Sequence, residues 1–191
     1  MIKQYNIILG SGSPRRKELL SGLDLHFRVL VREGIKETYP QDLPAKEVAR
    51  YIAEEKASAY TDLLSGDTMV ITADTIVVCD DTILGKPHDI NDAVRMLKML
   101  SGKTHQVITG VCISTKKKKK VFSVNTNVTF KRLQDTEIEY YVSKYKPFDK
   151  AGAYGIQEWI GHVGVEHLDG SYFNVIGLPV QRIYQTLTEE F

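Results

Sequence analysis

The sequence predicts an α/β protein in which a mixed sheet carries flanking helices. Segments with strand character alternate with amphipathic helix patterns, but without the strict strand–helix–strand rhythm of a parallel sheet. Two β-branched stretches, 106–114 and 121–130, flank five consecutive lysines, and such a hairpin requires antiparallel neighbours. The 191 residues, 42% hydrophobic and 26% charged, suffice for one core, so we expect a single domain over 1–191.

Strands are predicted where apolar or β-branched residues form short runs between turn residues. In the second arm of the hairpin, residues 124, 126, 128 and 130 are apolar or β-branched at every second position, which is the period of a strand. The other predicted strands, in chain order, are 5–9, 26–31, 68–79, 159–165 and 171–175, the last after the Asp169-Gly170 turn.

Helices are predicted from apolar spacing and from capping residues. Apolar residues at i, i+3, i+4 and i+7 indicate one amphipathic helix after a capping Asp135 and another after Pro179. Ser13-Pro14 opens a short helix that ends near Gly22. Two further helices are predicted over 44–60 and 91–100.

Composition excludes several functional classes. The formal charge is +1, and five positive charges lie in one run, Lys116 to Lys120, which we interpret as a solvated hairpin tip rather than a polyanion-binding patch. We therefore expect no nucleic-acid partner. Two cysteines without metal-like spacing favour neither a disulfide framework nor a zinc site, and no apolar run is long enough to span a membrane. The chain is most simply cytoplasmic.

A Gly/Ser loop at residues 9–16 is the first candidate for chemistry. It leaves an apolar strand and enters a helix, whose free N–H groups attract anions, and Arg15 and Arg16 add bidentate donors. The loop has neither the GxxxxGK[ST] nor the GxGxxG spacing of known phosphate loops. Phosphate binding and an ordinary capped turn with surface arginines both fit these residues.

An acid, Asp74, interrupts the apolar strand 68–79. An ionised carboxylate there is costly unless it is paired, metal-bound or at a cleft, although an Asp that caps backbone N–H groups is the alternative. The segments 84–87 and 149–157 are weaker signals, since Gly and Pro also mark ordinary turns. The sequence has no HExxH or GxSxG pattern, so zinc hydrolysis and triad chemistry have no support. The remaining basic donors and acids, with no evident nucleophile, are typical of metal-assisted phosphoryl or nucleotidyl hydrolysis, in which water attacks.

Taken together, the motifs resemble the Maf family of nucleoside triphosphate pyrophosphatases. They occur in the same order over essentially the whole chain: 11–20, Ala73-Asp74-Thr75, Leu84-Gly85-Lys86-Pro87, 100–105, 149–157 and Gly177-Leu178-Pro179. The resemblance implies an elongated two-lobed fold with a central cleft. It also implies hydrolysis of a nucleoside triphosphate to the monophosphate and pyrophosphate with a divalent cation, Mg²⁺ or Mn²⁺.

The resemblance also implies roles for individual residues. Asp74 matches the family's general base, and Glu37 matches the acid that follows the second strand, which implies a metal ligand. The residues that match phosphate ligands are Ser11, Arg16, Lys56 and Lys86. Arg15, Thr75 and Gln157 match the residues that define the group acting on dTTP and UTP.

Two features depart from the family pattern. Glu158-Trp159 follows Gln157 where many relatives have Gly, and the lysine run has no counterpart. A nucleotide-binding regulator of cell division and septum formation, without significant turnover, is the alternative function, and release of pyrophosphate separates the two. The sequence leaves open whether the chain forms a homodimer and which metal it prefers. It also leaves open whether dTTP, UTP or a modified nucleotide is the substrate.

Overall fold

A computed structural model describes residues 4–191 of the chain. It confirms the α/β class, since helices flank a mixed sheet of seven strands. The strands are β1 Asn6–Leu9, β2 Phe27–Val29, β3 Thr68–Cys79, β4 Thr82–Leu84, β5 Thr104–Thr115, β6 Lys119–Phe130 and β7 Val165–Asp169. The helices are α1 Pro14–Ser21, α2 Ala45–Ser58, α3 Ile90–Leu100, α4 Asp135–Tyr145, α5 Trp159–Gly164, α6 Tyr172–Ile176 and α7 Val180–Glu190, with short 3₁₀ turns at Thr61–Leu63 and Ala151–Ala153.

The sheet has the order β2-β1-β3-β5-β6-β7, and β4 pairs with β3 beside this path. β1 pairs in parallel with both β2 and β3, whereas β3/β4 and β6/β7 are antiparallel. The mixture predicted from the hairpin is therefore confirmed.

The residue contacts group into two compact units, and the long strands β3, β5 and β6 contribute to both. The first unit comprises 1–74, 109–124 and 177–191, and its core packs β1 and the first half of β3 against α1 and α7. The second comprises 75–108 and 125–176, with a core contributed largely by α3, α4 and the second half of β3. The single domain over 1–191 and the elongated shape with a central cleft stay predictions.

Most predicted elements are found within a few residues of their expected bounds. The cap of α4 is corrected: Asp135 is the first helical residue, and Gln134 is the cap, with its N–H donating to Glu137 Oε2 at 2.9 Å. The hairpin β3–β4 was not predicted; it turns through Asp80 and Asp81, both with positive φ. No helix within residues 4–191 is long and apolar enough to cross a bilayer.

The strand predicted over 159–165 is wrong. Residues Trp159–Gly164 form helix α5, and only Val165 begins the strand β7. Trp, Ile and Val favour strands locally, but Glu158 O accepts the N–H of Gly161 at 2.9 Å and of His162 at 3.3 Å, which closes helical turns. A Cβ at Gly161 would lie 1.8 Å from Ile156 O, so this glycine permits the helix to pack directly on the preceding loop.

The strand predicted over 171–175 is also wrong, because Tyr172–Ile176 is the short helix α6. Ser171 Oγ accepts the N–H of Asn174 at 3.2 Å, the bond of a serine that caps a helix. The Asn174 side chain then donates to Val107 O and Thr126 Oγ1, both at 3.0 Å. A buried amide therefore fixes α6, which hydrophobic patterning alone could not indicate.

The lysine run forms the hairpin tip between β5 and β6, as predicted, and Lys116 to Lys119 are exposed. Three of these side chains also hold neighbouring elements. Lys118 and Lys120 lie 3.3 and 2.9 Å from the Glu190 carboxylate, and Lys119 lies 2.6 Å from Glu54. Solvent screens exposed pairs of this kind, so each of these contacts adds little to stability.

Candidate active site

The first unit positions a lysine beside Asp74 through contacts between α2 and β3. Thr72 Oγ1 donates to Ala53 O at 2.6 Å, and both residues are fully buried. Asp74 lies two residues after Thr72, on the same strand face, while Lys56 lies three residues after Ala53, on the same helix face. One hydrogen bond therefore fixes the register that directs Lys56 toward Asp74.

Small residues allow this close approach of helix and sheet. A Cβ at Gly110 of β5 would lie 2.2 Å from Ala49 O, so only glycine leaves room for the α2 backbone there. Ala49 and Ala53, on the facing side of α2, have no exposed surface. The position of Lys56 thus depends on small side chains one and two turns before it in the helix.

Lys56 lies between two carboxylates. Its Nζ is 2.8 Å from Asp74 Oδ1 and 2.7 Å from Glu37 Oε1. The side chains of Lys56 and Asp74 are only 12% and 10% exposed, whereas that of Glu37 is 48% exposed. A carboxylate in such a buried position needs a partner, and Lys56 supplies it. The pairing explains why an acid is tolerated within an apolar strand.

Arg16 lies beside this group and joins the first and last motifs of the sequence. Its Nε donates to Gly177 O and its Nη1 to Ala73 O, both at 2.9 Å, with a longer contact of 3.5 Å to Ser11 Oγ. Desolvation lowers the pKa of Arg16, and the nearby carboxylates of Asp74 and Glu37 oppose that shift. Two acids and two cations therefore leave the cluster without a large net charge.

The donor set of the cluster fits a divalent cation held jointly with a phosphate. Among residues 4–191, no three His, Cys, Asp or Glu side chains converge as a complete set of protein ligands. Mg²⁺, however, is commonly bound through one or two carboxylates together with substrate phosphates and water. Glu37 and Asp74, which share one ammonium group, supply such a pair.

The second unit brings two of its predicted segments together. The N–H of Gly152 donates to Gly85 O at 3.1 Å, so the loop that carries Lys86 is bonded to the segment that ends at Gln157. Gly152 has φ +69°, and a Cβ there would meet Val77 Cγ2 at 2.9 Å. Lys86 is exposed, and Oε1 of Gln157 is buried without a hydrogen-bond partner among the described residues.

A buried histidine holds the start of this segment. His105 Nε2 and the hydroxyl of Tyr154 are 2.6 Å apart, and both rings pack edge-on against Phe130. His105 is 1% exposed, and burial lowers its pKa to about 4, so the imidazole is neutral at pH 7. The bond fixes Tyr154 three residues before Gln157.

The predicted site residues therefore fall into two sets, one in each unit. Contacts within the first unit link five of them: Asp74, Lys56, Glu37, Arg16 and Ser11. Arg15 lies in the same unit and close enough to lower the pKa of Arg16 by charge repulsion. Lys86 and Gln157 belong to the second unit, as does Thr75, which directly follows Asp74 in β3.

Comparison with known proteins agrees with this arrangement of motifs. The family model described as Maf-like protein matches residues 6–190. The chain belongs to the Maf family. It is 58% identical over 186 residues to a protein of Phocaeicola vulgatus named dTTP/UTP pyrophosphatase, which covers 97% of this chain and 96% of the relative. Relatives with the same name from Parabacteroides distasonis and Porphyromonas gingivalis are 54% and 51% identical, with coverage of 97% and 98% of this chain and 96% of each relative.

Solved structures show the same fold at low sequence identity. The Ham1 protein of Staphylococcus aureus has a TM-score of 0.55 at 15% identity and covers 97% of this Maf protein and 100% of the other chain. A HAM1 protein of Coxiella burnetii gives 0.52 at 14% identity, with 97% and 98% covered.

Several residues around the site were not identified from sequence. His105 and Tyr154 lie inside recognised motifs, but their contact joins residues 49 positions apart. Tyr141, Lys150 and Glu158 form a second set of contacts beside Gln157. Lys150 lies inside the motif 149–157 and Glu158 was noted as a departure from the family pattern, but neither was assigned a role. Partners that are distant in sequence could not be paired by periodicity or spacing.

The neutral state of His105 gives a testable dependence of stability on pH. Its pKa is about 4 when folded and 6.5 otherwise, so the unfolded chain binds more protons between these values. Stability should therefore fall as the pH drops through 6.5 and level off below 4. From pH 7 to pH 5 this residue should cost about 2 kcal/mol.

Urea unfolding at the two pH values measures this effect. His105→Gln should lose about 2 kcal/mol less than the wild type over that interval, whereas His26→Gln, at an exposed histidine, should lose as much as the wild type. Equal losses in the wild type and His105→Gln would show that His105 does not remain neutral.

Proposed function

We propose that the protein hydrolyses dTTP and UTP, each to its monophosphate and pyrophosphate, through attack of water on the α-phosphorus. The paired carboxylates of Asp74 and Glu37 on Lys56 support this most directly, because they combine a base, a cation site and a fixed ammonium donor. The near full-length relatives named dTTP/UTP pyrophosphatase support the same substrate class. We expect it to act on free nucleotides in the cytoplasm.

Asp74 is the group that orients and deprotonates the attacking water. Lys56 bonds to Oδ1 and so fixes the orientation of the carboxylate, which accepts the proton of the attacking water. The Asp74 side chain is only 10% exposed, which limits access of bulk water. No covalent intermediate is required, because the water itself displaces pyrophosphate.

The divalent cation is expected to be held by Glu37 and Asp74 together with phosphate oxygens. When bound, the cation would neutralise negative charge on the triphosphate. The cluster itself contributes little net positive charge, since Lys56 and Arg16 are matched by the two acids. A triphosphate, with several negative charges, therefore needs additional positive charge from the cation and from Lys86.

Phosphate contacts are assigned to Ser11, Arg16, Lys56 and Lys86. Arg16 donates one hydrogen bond from Nε and one from Nη1 to main-chain carbonyls, which fixes the guanidinium plane. A guanidinium held in this way is pre-organised for the phosphate oxygens. Lys86 is an exposed point charge and suits the leaving pyrophosphate.

Recognition of the base is assigned to Arg15, Thr75 and Gln157. Uracil and thymine present two carbonyl acceptors around an N–H donor. The buried Oε1 of Gln157, which lacks a partner in the described chain, can accept that N–H, and the amide NH₂ can donate to a neighbouring carbonyl. Cytosine has no N–H at this position, so the same acceptor would stay unsatisfied at a cost of about 1–3 kcal/mol.

Replacing Asp74 tests the catalytic assignment. Asp74→Asn keeps the size of the side chain but removes the base, so pyrophosphate release from dTTP should fall by roughly 10²–10⁴-fold. Nucleotide binding should persist in calorimetry. The control is Asp62→Asn, the same change at an exposed aspartate of the same unit. A folded Asp74→Asn variant with near-normal turnover would exclude Asp74 as the base, and a wild type that binds nucleotide without releasing pyrophosphate would favour the regulator.

Replacing Gln157 tests base recognition separately from phosphate binding. Gln157→Glu removes the amide donor and places negative charge beside a carbonyl. Therefore kcat/KM for dTTP relative to CTP should fall by roughly ten- to a hundredfold. Product inhibition by pyrophosphate should change little, and Gln185→Glu on α7 is the control. An unchanged preference, with dTTP still favoured, would remove Gln157 from the base-binding group.

A further inference from the structure

Gln157 lies in a turn that is closed twice. The N–H of Glu158 donates to Gly155 O at 3.0 Å, which makes residues 155–158 a β-turn with Gln157 at its third position. The second closure runs through side chains. The N–H of Gly155 donates to the Tyr141 hydroxyl at 3.0 Å, and that hydroxyl donates to Glu158 Oε2. Both ends of the turn are thereby bonded to one oxygen atom of α4.

The other oxygen of Glu158 is also bonded. Lys150 Nζ lies 3.0 Å from Glu158 Oε1 and 2.9 Å from Asp149 Oδ1, and its side chain is only 11% exposed. Tyr141 has no exposed surface, and desolvation raises the pKa of its phenol, so it remains a protonated donor. Glu158 therefore accepts from a buried hydroxyl on one oxygen and a nearly buried ammonium on the other.

The turn fits tightly within these side chains. A Cβ at Gly155 would lie 3.0 Å from Lys150 Cε and 3.1 Å from Glu158 Cδ, so the glycine allows the carboxylate and the lysine stem to pack against the turn. Tyr141 also stacks on Tyr145 of α4, with centroids 5.1 Å apart. The hydroxyl is thus held by a ring that has little freedom to move.

We propose that Tyr141, Lys150 and Glu158 form a clamp that positions Gln157 and thereby determines how strongly the enzyme discriminates between pyrimidine bases. The inference rests on the proposed function, in which Gln157 contacts the base. Tyr141 and Glu158 are positioning residues, because they act through the turn and not on the substrate. Discrimination between hydrogen-bonding patterns requires a fixed acceptor, and a mobile one satisfies the wrong base more easily.

The test compares Tyr141→Phe with Tyr145→Phe. The first removes the oxygen that joins both ends of the turn, and the second removes a hydroxyl from the stacked ring on the same helix. Tyr145 makes no hydrogen bond to the turn among the described residues. For each variant, kcat and KM are measured with dTTP, UTP and CTP, and amide hydrogen exchange is followed over residues 154–158.

Tyr141→Phe is expected to reduce the ratio of kcat/KM for dTTP over CTP by about tenfold, mainly through a higher KM for dTTP. Its kcat should change by less than about threefold, because the carboxylates of the first unit are untouched. Amide exchange in the turn should accelerate by about tenfold or more. Glu158→Gln, which keeps an acceptor for Tyr141 but loses the charge facing Lys150, should give a smaller change in the same direction. Tyr145→Phe should match the wild type in all three readouts.

Two outcomes would overturn the clamp. Faster exchange without loss of discrimination would show that the position of the turn does not set base preference, and unchanged exchange would show that the hydroxyl does not hold the turn. A wild type without preference for dTTP over CTP would instead contradict the proposed function. If Tyr141→Phe does not fold, Glu158→Gln is measured in its place. Unchanged discrimination and unchanged exchange in that variant would also overturn the proposal.

Discussion

The ammonium group of Lys56, held between Asp74 and Glu37, is the interaction on which the proposed chemistry depends. Asp74 lies in a strand whose neighbouring residues are almost wholly buried, and an unpaired carboxylate there would be costly. Lys56 pairs with this carboxylate and keeps it in one orientation. Removing one partner of such a buried pair typically costs about 3–5 kcal/mol, so stability and function depend on the same contact.

This contact constrains the fold around it. Lys56 reaches Asp74 because α2 lies close against the sheet, and that approach requires glycine at 110 and small side chains on the facing surface of the helix. The Thr72–Ala53 hydrogen bond fixes the helix along the strand direction. A shift of one residue would turn Lys56 away from the carboxylate, since side-chain direction repeats about every 3.6 residues in a helix and every second residue in a strand.

The second unit shows a different strategy, in which a loop is fixed by polar contacts from several directions. His105 holds Tyr154 at one end of the segment, and Tyr141 holds the turn that carries Gln157. Loops that bind ligands are usually mobile, but selective recognition requires acceptors and donors at fixed positions. Glu158 gives this chain a charged anchor for the turn.

Regular periodicity and capping residues made much of the fold predictable. The helix at Pro14 follows from its capping residues, the helix after Pro179 from apolar spacing, and the long strands β3, β5 and β6 from runs or alternation of apolar and β-branched residues. The errors fell at residues 159–165 and 171–175, where β-branched and aromatic side chains favoured strands but capping bonds and a buried asparagine stabilise short helices. Tertiary contacts decide such short segments, because their local preferences are weak.

The candidate site was predictable to the extent that it resides in ordered motifs. The resemblance assigned separate roles to Asp74, Lys56 and Glu37, and the structure brings their charged atoms together. The clamp around Gln157 was not predictable, because Tyr141 lies outside the recognised motifs and its contacts with the turn, like the pairing of Lys150 with Glu158, arise only in three dimensions.

Hydrolysis of dTTP in ¹⁸O-labelled water tests the central claim most directly. Under single-turnover conditions, mass spectrometry of both products shows which phosphorus atom the water attacks. Attack at the α-phosphorus, with Asp74 accepting the proton, predicts one ¹⁸O atom in the monophosphate and none in pyrophosphate. Label in pyrophosphate, or release of inorganic phosphate in place of pyrophosphate, would contradict it.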